Sequence, residues 1–201
     1  MLGLRQRFGM LMLASLLCVL PTNASGDAVS TDPTKASKND SSTVQTSTTQ
    51  QPPFHDQLRE RLIGNWVLTG TVAGQPTTHD VKAEWVLNHQ YVQINEISRE
   101  LNEKGQPKYE ATVFVAWNAK TEQYACLWLD IIGGLSQASI GYATPSKDTM
   151  AFLFKGLDAG DDFHNTFKYN AKADTWEWLM DSEKKGILTP FGQLKLEKKP
   201  R

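Results

Sequence analysis

From Trp66 to the C-terminus, apolar and polar residues alternate in short runs, and Gly, Pro, Asn and Asp fall between the runs. Alternation with a period of two is the mark of a strand with one buried face. The runs cover 66–72, 81–87, 91–98, 109–117, 123–131, 136–142, 149–155, 163–170, 175–180 and 186–197. Turn chemistry separates them: Gly74-Gln75-Pro76, Asn88-His89, Glu103 to Pro107, Asn118 to Thr121, Gly133-Gly134, Pro145 to Asp148, and the acidic stretch Asp158 to Asp162. About ten short strands at this spacing, with no crossover helix between them, predict an all-β fold. The nearest-neighbour order favours a single antiparallel up-and-down β-barrel, whose closure removes exposed edges. One helical stripe precedes the strands, formed by Phe54, Leu58, Leu62 and Ile63. It predicts a short N-terminal helix capping one end of the barrel, stopped at Gly64 in a left-handed conformation.

The pattern before residue 54 is different. Residues 1–24 read as a signal peptide: Arg5 and Arg7, an apolar run over 10–20, Pro21, then Thr22-Asn23-Ala24. The run is about half the ~20 residues that span a bilayer, so the chain is expected to be exported, periplasmic or secreted, with no stable membrane span after cleavage. Cys18 follows bulky Leu17, which argues against a lipoprotein cysteine. Residues 25–53 are mostly Ser, Thr, Asp, Asn, Lys and Gln with no aromatic. Such a stretch lacks the apolar surface to offset its ordering entropy, so a disordered Ser/Thr-rich linker is expected, with one glycosylation sequon at Asn39-Asp40-Ser41. The barrel domain then occupies 54–201.

Charge narrows the partners. The chain has 21 basic and 22 acidic residues, and loss of Arg5 and Arg7 with the leader leaves 19 against 22. That balance gives no footprint for nucleic acid. Of the two cysteines only Cys126 remains after cleavage, so no internal disulfide forms. An exported domain without disulfides rests on its core, which roughly 140 residues can supply.

Catalytic and metal motifs are absent from the sequence. His55, His79, His89 and His164 are scattered without metal-ligand spacing, and there is no Gly-x-Ser-x-Gly elbow. Cys126 shares a strand face with Tyr124, Trp128 and Asp130 and reads as a small buried hydrophobe rather than a nucleophile. If that face is internal, Asp130 brings a carboxylate to the rim of an aromatic cavity. A buried carboxylate must be paired, solvated or functional, and accepting from neighbouring loop amides would also satisfy it. Trp85, Trp117, Tyr91, Phe152, Phe154, Trp176 and Trp178 add large side chains that either line a pocket or fill it. The candidate ligand-binding set is Tyr91, Trp117, Tyr124, Trp128, Asp130, Phe152, Trp176 and Trp178.

Four pieces carry a family resemblance: Gly64-Asn65-Trp66 with Gly70-Thr71; Trp85-Val86-Leu87-Asn88; Trp117-Asn118 through Tyr124-Ala125-Cys126-Leu127-Trp128-Leu129-Asp130; and Gly141-Tyr142. Together, over about 58–198, they resemble the calycin superfamily of lipocalins, fatty-acid-binding proteins and nitrobindin-type barrels. More narrowly they resemble a bacterial family of lipocalin-like domains of unknown function. The resemblance implies that Gly64 and Trp66 are the structural signature of the closed barrel end. It also implies a basic side chain of the last strand over Trp66, with Lys195 or Lys198 in place of the usual arginine. Nitrobindin-type barrels hold haem through a late histidine, and no histidine follows His164 here, which argues against haem and leaves no cofactor expected. A small, mostly apolar ligand is implied. The alternatives are an enzyme using the cavity, with Asp130, Tyr91 or His89 as acid–base groups, and a filled barrel acting as an envelope or interaction protein.

Overall fold

The computed structural model describes residues 56–158 and 161–200. The expected signal peptide, the linker and Phe54 lie outside these residues. A six-residue helix, α1 (Gln57–Leu62), leads into ten antiparallel strands. They are β1 (Gly64–Val72), β2 (Gln75–Val86), β3 (Tyr91–Ser98), β4 (Glu110–Asn118), β5 (Gln123–Asp130), β6 (Ile140–Ala143), β7 (Thr149–Asp158), β8 (Asp161–Asn170), β9 (Thr175–Lys184) and β10 (Ile187–Lys198). Each strand pairs with its sequence neighbours, and β1 pairs with β10, so the sheet closes on itself as an up-and-down barrel. This is the expected architecture and is consistent with a lipocalin-like fold.

Alternation decides which side chains enter the barrel. Trp66 and Leu68, Val81 and Ala83, Val92 and Ile94, Val113 and Val115, and Tyr124 and Cys126 all face inward and are buried. Met150 and Phe152, Phe167, Trp176 and Trp178, and Leu194 and Leu196 complete the core from the other side. Each large side chain fully removed from water contributes roughly 1.5–3 kcal/mol. The core is densest towards the end where β1 begins and β10 finishes.

Helix α1 covers that end. Asp56 caps it by accepting from the Arg59 amide at 2.7 Å, and Leu58 and Leu62 turn inward. Arg59 is also buried. Its Nε donates to Asp56 at 2.6 Å, and its guanidinium lies 5.0 Å from the Trp85 ring centroid and 5.9 Å from that of Tyr124. The last helical carbonyls are satisfied by barrel tryptophans: Trp66 Nε1 donates to Leu62 O at 2.8 Å and Trp176 Nε1 to Arg61 O at 3.4 Å. Lys198 stands 5.5 Å from the Trp66 ring centroid, so of the two lysines considered for this contact it is Lys198 that makes it.

Four local expectations are corrected. The helix ends without a left-handed glycine: Ile63 is extended (φ −63°, ψ 129°), and Gly64 (φ +144°) already belongs to β1. The β1–β2 turn is Ala73-Gly74, with φ of 50° and 73°, the left-handed pair that suits a two-residue hairpin. Gln75 and Pro76 therefore sit inside β2, opposite Val72 and Thr71. Strand β6 is only Ile140–Ala143, because 131–139 is drawn into a loop with a 3₁₀ turn at Gln137–Ser139. In that loop Asp130 accepts from the Ile132 amide at 2.9 Å, and Ser139 Oγ accepts from the Ser136 amide at 3.1 Å.

The short β6 matters for access. It pairs with β5 only over Tyr124 to Leu127, and with β7 only at Gly141 and Tyr142. Beyond those positions, towards the end opposite α1, the wall between β5 and β7 is spanned by the 131–139 loop rather than by a ladder.

Candidate functional site

The barrel is packed at the helix end and hollow at the other. A cavity of about 1200 Å³ opens where β1–β2, β3–β4, β5–β6 and β9–β10 connect. Its depth is closed by Trp128, whose ring makes an edge contact at 5.5 Å with Trp178. Trp178 in turn stacks on Phe167 at 4.5 Å, and its Nε1 donates to Asn165 Oδ1. These pairings build the aromatic floor.

The two sides of the cavity differ in chemistry. Strands β7 to β10 contribute Phe154, Phe163, Met180, Phe191 and Leu194. Strands β2 and β3 and the loop after β3 contribute Thr77, His79, Glu96, Ser98, Glu100 and Tyr109. The inward alternation of β2 runs from Ala83 through Val81 to His79, and that of β3 from Val92 through Ile94 to Glu96 and Ser98. The polar side is therefore the continuation of two core-facing rows.

His79 is the centre of this polar side. It is 5% exposed and Glu96 2%. His79 Nδ1 donates to Glu96 Oε1, Nε2 lies 2.7 Å from Thr77 Oγ1, and the ring stacks on Tyr109 at 5.8 Å. Thr77 gives its hydroxyl proton to Glu100 Oε2 at 3.1 Å, so its oxygen bridges His79 Nε2 and Glu100. A hydroxyl committed in this way is a relay between His79 and Glu100 rather than an activated nucleophile. Burial pushes the Glu100 carboxyl up, but amide bonds from Glu100 and Thr78, the Thr77 hydroxyl and the charge of His79 together leave it below its ordinary value. Glu96 Oε2 is buried and has no hydrogen-bond partner among the described residues.

A second relay starts from the floor at Trp128 and ends on Asp130 beside the 131–139 loop. Trp128 Nε1 donates to Tyr109 Oη at 3.0 Å, and Tyr109 Oη donates to Asp130 Oδ2 at 3.3 Å. Burial, then the charge of Glu96, push the Tyr109 phenol far above its ordinary range. Asp130 thus serves the amide of Ile132 and the phenol of Tyr109.

The structure spreads the sequence candidates over four places. Trp128 and Asp130 line the cavity. Trp178 lies beneath its floor and is fully buried, as are Trp176 and Phe152. Tyr124 and Trp117 meet edge-on at 5.5 Å near the helix end. Burial, with the charge of Asp56, raises the Tyr124 phenol to about 12. Tyr91 is 37% exposed and lines a shallow outer hollow with Phe114, Leu127 and Tyr142. His89 belongs to the β2–β3 turn beside Trp85, so Asp130, Tyr91 and His89 do not converge on one site. Cys126 is fully buried, and burial pushes its thiol far above the ordinary range.

His79, Glu96 and Tyr109 were absent from the sequence candidates. Their signal is a polar residue falling on the core face of an apolar alternation, as in His79-x-Val81-x-Ala83 and Val92-x-Ile94-x-Glu96.

Among the described residues no group of three or more His, Cys, Asp or Glu side chains could hold a metal ion, and no helix is long and apolar enough to cross a membrane. No protein-family model matches the chain, and no curated protein matches its sequence.

Proposed function

We propose that the chain is an exported lipocalin-like binding module, periplasmic or secreted, that holds a small, mostly apolar molecule in the open half of its barrel. The observation that carries this reading is the cavity of about 1200 Å³ with Phe154, Phe163, Met180 and Leu194 on one side. Binding sites for small molecules are concave, mostly apolar and set with a few fixed polar groups, typically about 300–1,000 Å³. The incomplete ladder at β6 supplies a route through the wall, and Ile132 and Leu135 of its loop are 83% and 74% exposed beside it.

Native mass spectrometry of gently purified full-length protein tests the reading, together with tryptophan fluorescence during titration with apolar probes. Trp128 is the reporter, since it forms the cavity floor. Met180→Trp places an indole in the cavity and is expected to weaken binding at least tenfold while the melting temperature moves by only a few degrees. Equal binding by this variant, or no retained or added ligand at all, would refute the proposal.

A further inference from the structure

Among the described residues the cavity has one buried acceptor left without a hydrogen-bond partner. Thr77, Ser98, Tyr109, Asp130 and Asn165 all have hydrogen-bond partners among their neighbours. Glu96 spends one oxygen on His79, and the other has no partner among the described residues although the side chain is almost fully buried. Buried carboxylate oxygens are costly to leave unpaired, so the group that best complements this site carries a hydrogen on a polar atom.

Charge selects among such groups. Among the described residues the acids and bases lining the cavity are Glu96, Glu100 and Asp130 on the acidic side, and His79 and Lys108 on the basic side. Even with His79 counted as a cation, acids outnumber bases by three to two. Lys108 is exposed at the rim, whereas Glu96 is inside. A carboxylate or phosphate head would bring a second anion to Glu96 and no donor. A hydroxyl would supply the donor without charge. A protonated amine supplies the donor together with an opposite charge, so its bond carries ion-pair attraction that a hydroxyl lacks, at a carboxylate largely withdrawn from water. The apolar side formed by Phe154, Phe163, Met180 and Leu194 lies across the same cavity.

Building on the binding-module reading above, we infer that the cavity selects an amphiphile with a protonated amine head, seated on Glu96 Oε2, with its hydrocarbon along strands β7 to β10. Glu96 is then the specificity-determining residue, and His79 positions it by holding the other oxygen.

The test compares dodecylamine, dodecanol and dodecanoic acid at pH 7, each below its solubility limit and below any micelle formation. Binding to the full-length protein is read by calorimetry and tryptophan fluorescence. The amine is expected to bind at least tenfold tighter than the alcohol and tighter still than the acid. Glu96→Gln keeps the shape of the side chain; it is expected to reduce amine affinity at least tenfold and leave the alcohol within twofold. An amine preference that survives in Glu96→Gln overturns the inference. If that variant does not fold, the ranking in the unsubstituted protein decides, and an acid or alcohol that binds as tightly as the amine overturns it. An alcohol equal to the amine sinks the head-group assignment while the binding-module reading stands. Failure of all three probes sinks both.

Discussion

Replacing Gly70 by alanine is expected to break the seam that closes the barrel. Gly70 has φ of +151° and lies opposite Leu194 in the β1–β10 pair. A Cβ built there would sit 2.2 Å from Gln193 O, 2.8 Å from Leu194 Cα and 3.1 Å from Gln193 C. All three are backbone atoms, so no side chain can swing aside. Bringing the closest contact from 2.2 Å to an ordinary 3.4 Å moves the strands apart by 1.2 Å, enough to lose about two ladder hydrogen bonds at about 1 kcal/mol each. A backbone conformation that side-chain-bearing residues avoid adds about 1–3 kcal/mol. The expected loss is about 3–5 kcal/mol, a large share of the 5–15 kcal/mol typical of a domain. Gly74→Ala is the control: φ is +73°, but nothing lies within 4 Å of the added Cβ, so only the left-handed penalty of about 1–2 kcal/mol applies. Urea unfolding followed by tryptophan fluorescence gives both values, with Trp66 at the same seam as a reporter. Equal losses for the two variants, or a Gly70→Ala loss within about 1 kcal/mol of zero, would refute the steric argument.

Three further outcomes follow from the geometry. Arg59→Ala removes a buried guanidinium from between Trp85 and Tyr124 and leaves Asp56 without its ion pair; a loss of about 2–4 kcal/mol in urea unfolding is expected, and an unchanged midpoint would show that α1 does not brace the closed end. Cys126, with its thiol raised by burial, is expected to resist a disulfide reagent at pH 8 until the protein is unfolded, whereas rapid labelling of the native state would contradict its placement in the core. The Arg99 guanidinium beside Asp80, helped by Lys199, lowers the Asp80 carboxyl from 3.8 to about 2. Because the folded value is the lower one, this pair stabilises the protein above pH 3.8 and the contribution disappears as pH falls towards 2. The groups are 43–46% exposed, so the effect is held to about 1 kcal/mol or less and shrinks with salt. Asp80→Asn should flatten the stability profile between pH 4 and 2, and an unaltered profile there would remove Asp80 as its source.

The sequence made the container legible and left its hollow half unmarked, for a physical reason. Period-two alternation states which side chains face inward, so the meander, the closure and the shared face of Tyr124, Cys126, Trp128 and Asp130 could all be read directly. Alternation carries no information about height along the barrel axis. Trp128 and Trp178 are both inward aromatics, yet one forms the cavity floor and the other is buried beneath it. That difference comes from stagger between strands distant in sequence. Within the 131–139 loop the stretch 136–139 reads as strand in the sequence because Ser136, Ala138 and Ser139 do not interrupt alternation; the hydrogen bonds that Asp130 and Ser139 accept from the Ile132 and Ser136 amides, which bend the loop, are set by the fold. A second strand begun at Val81 leaves His79 out of the inward row, whereas Glu96 lies within the 91–98 run and has no visible partner there until His79 joins the row. Extending it to Gln75 brings His79 into the inward row, and the β2–β3 register then places it diagonally across from Glu96. The change from Val81 to His79 and from Ile94 to Glu96 marks the level at which the packed core gives way to the cavity. In both strands the core-facing row turns polar at that level, where a filled barrel would need apolar residues and a cavity can use charged ones.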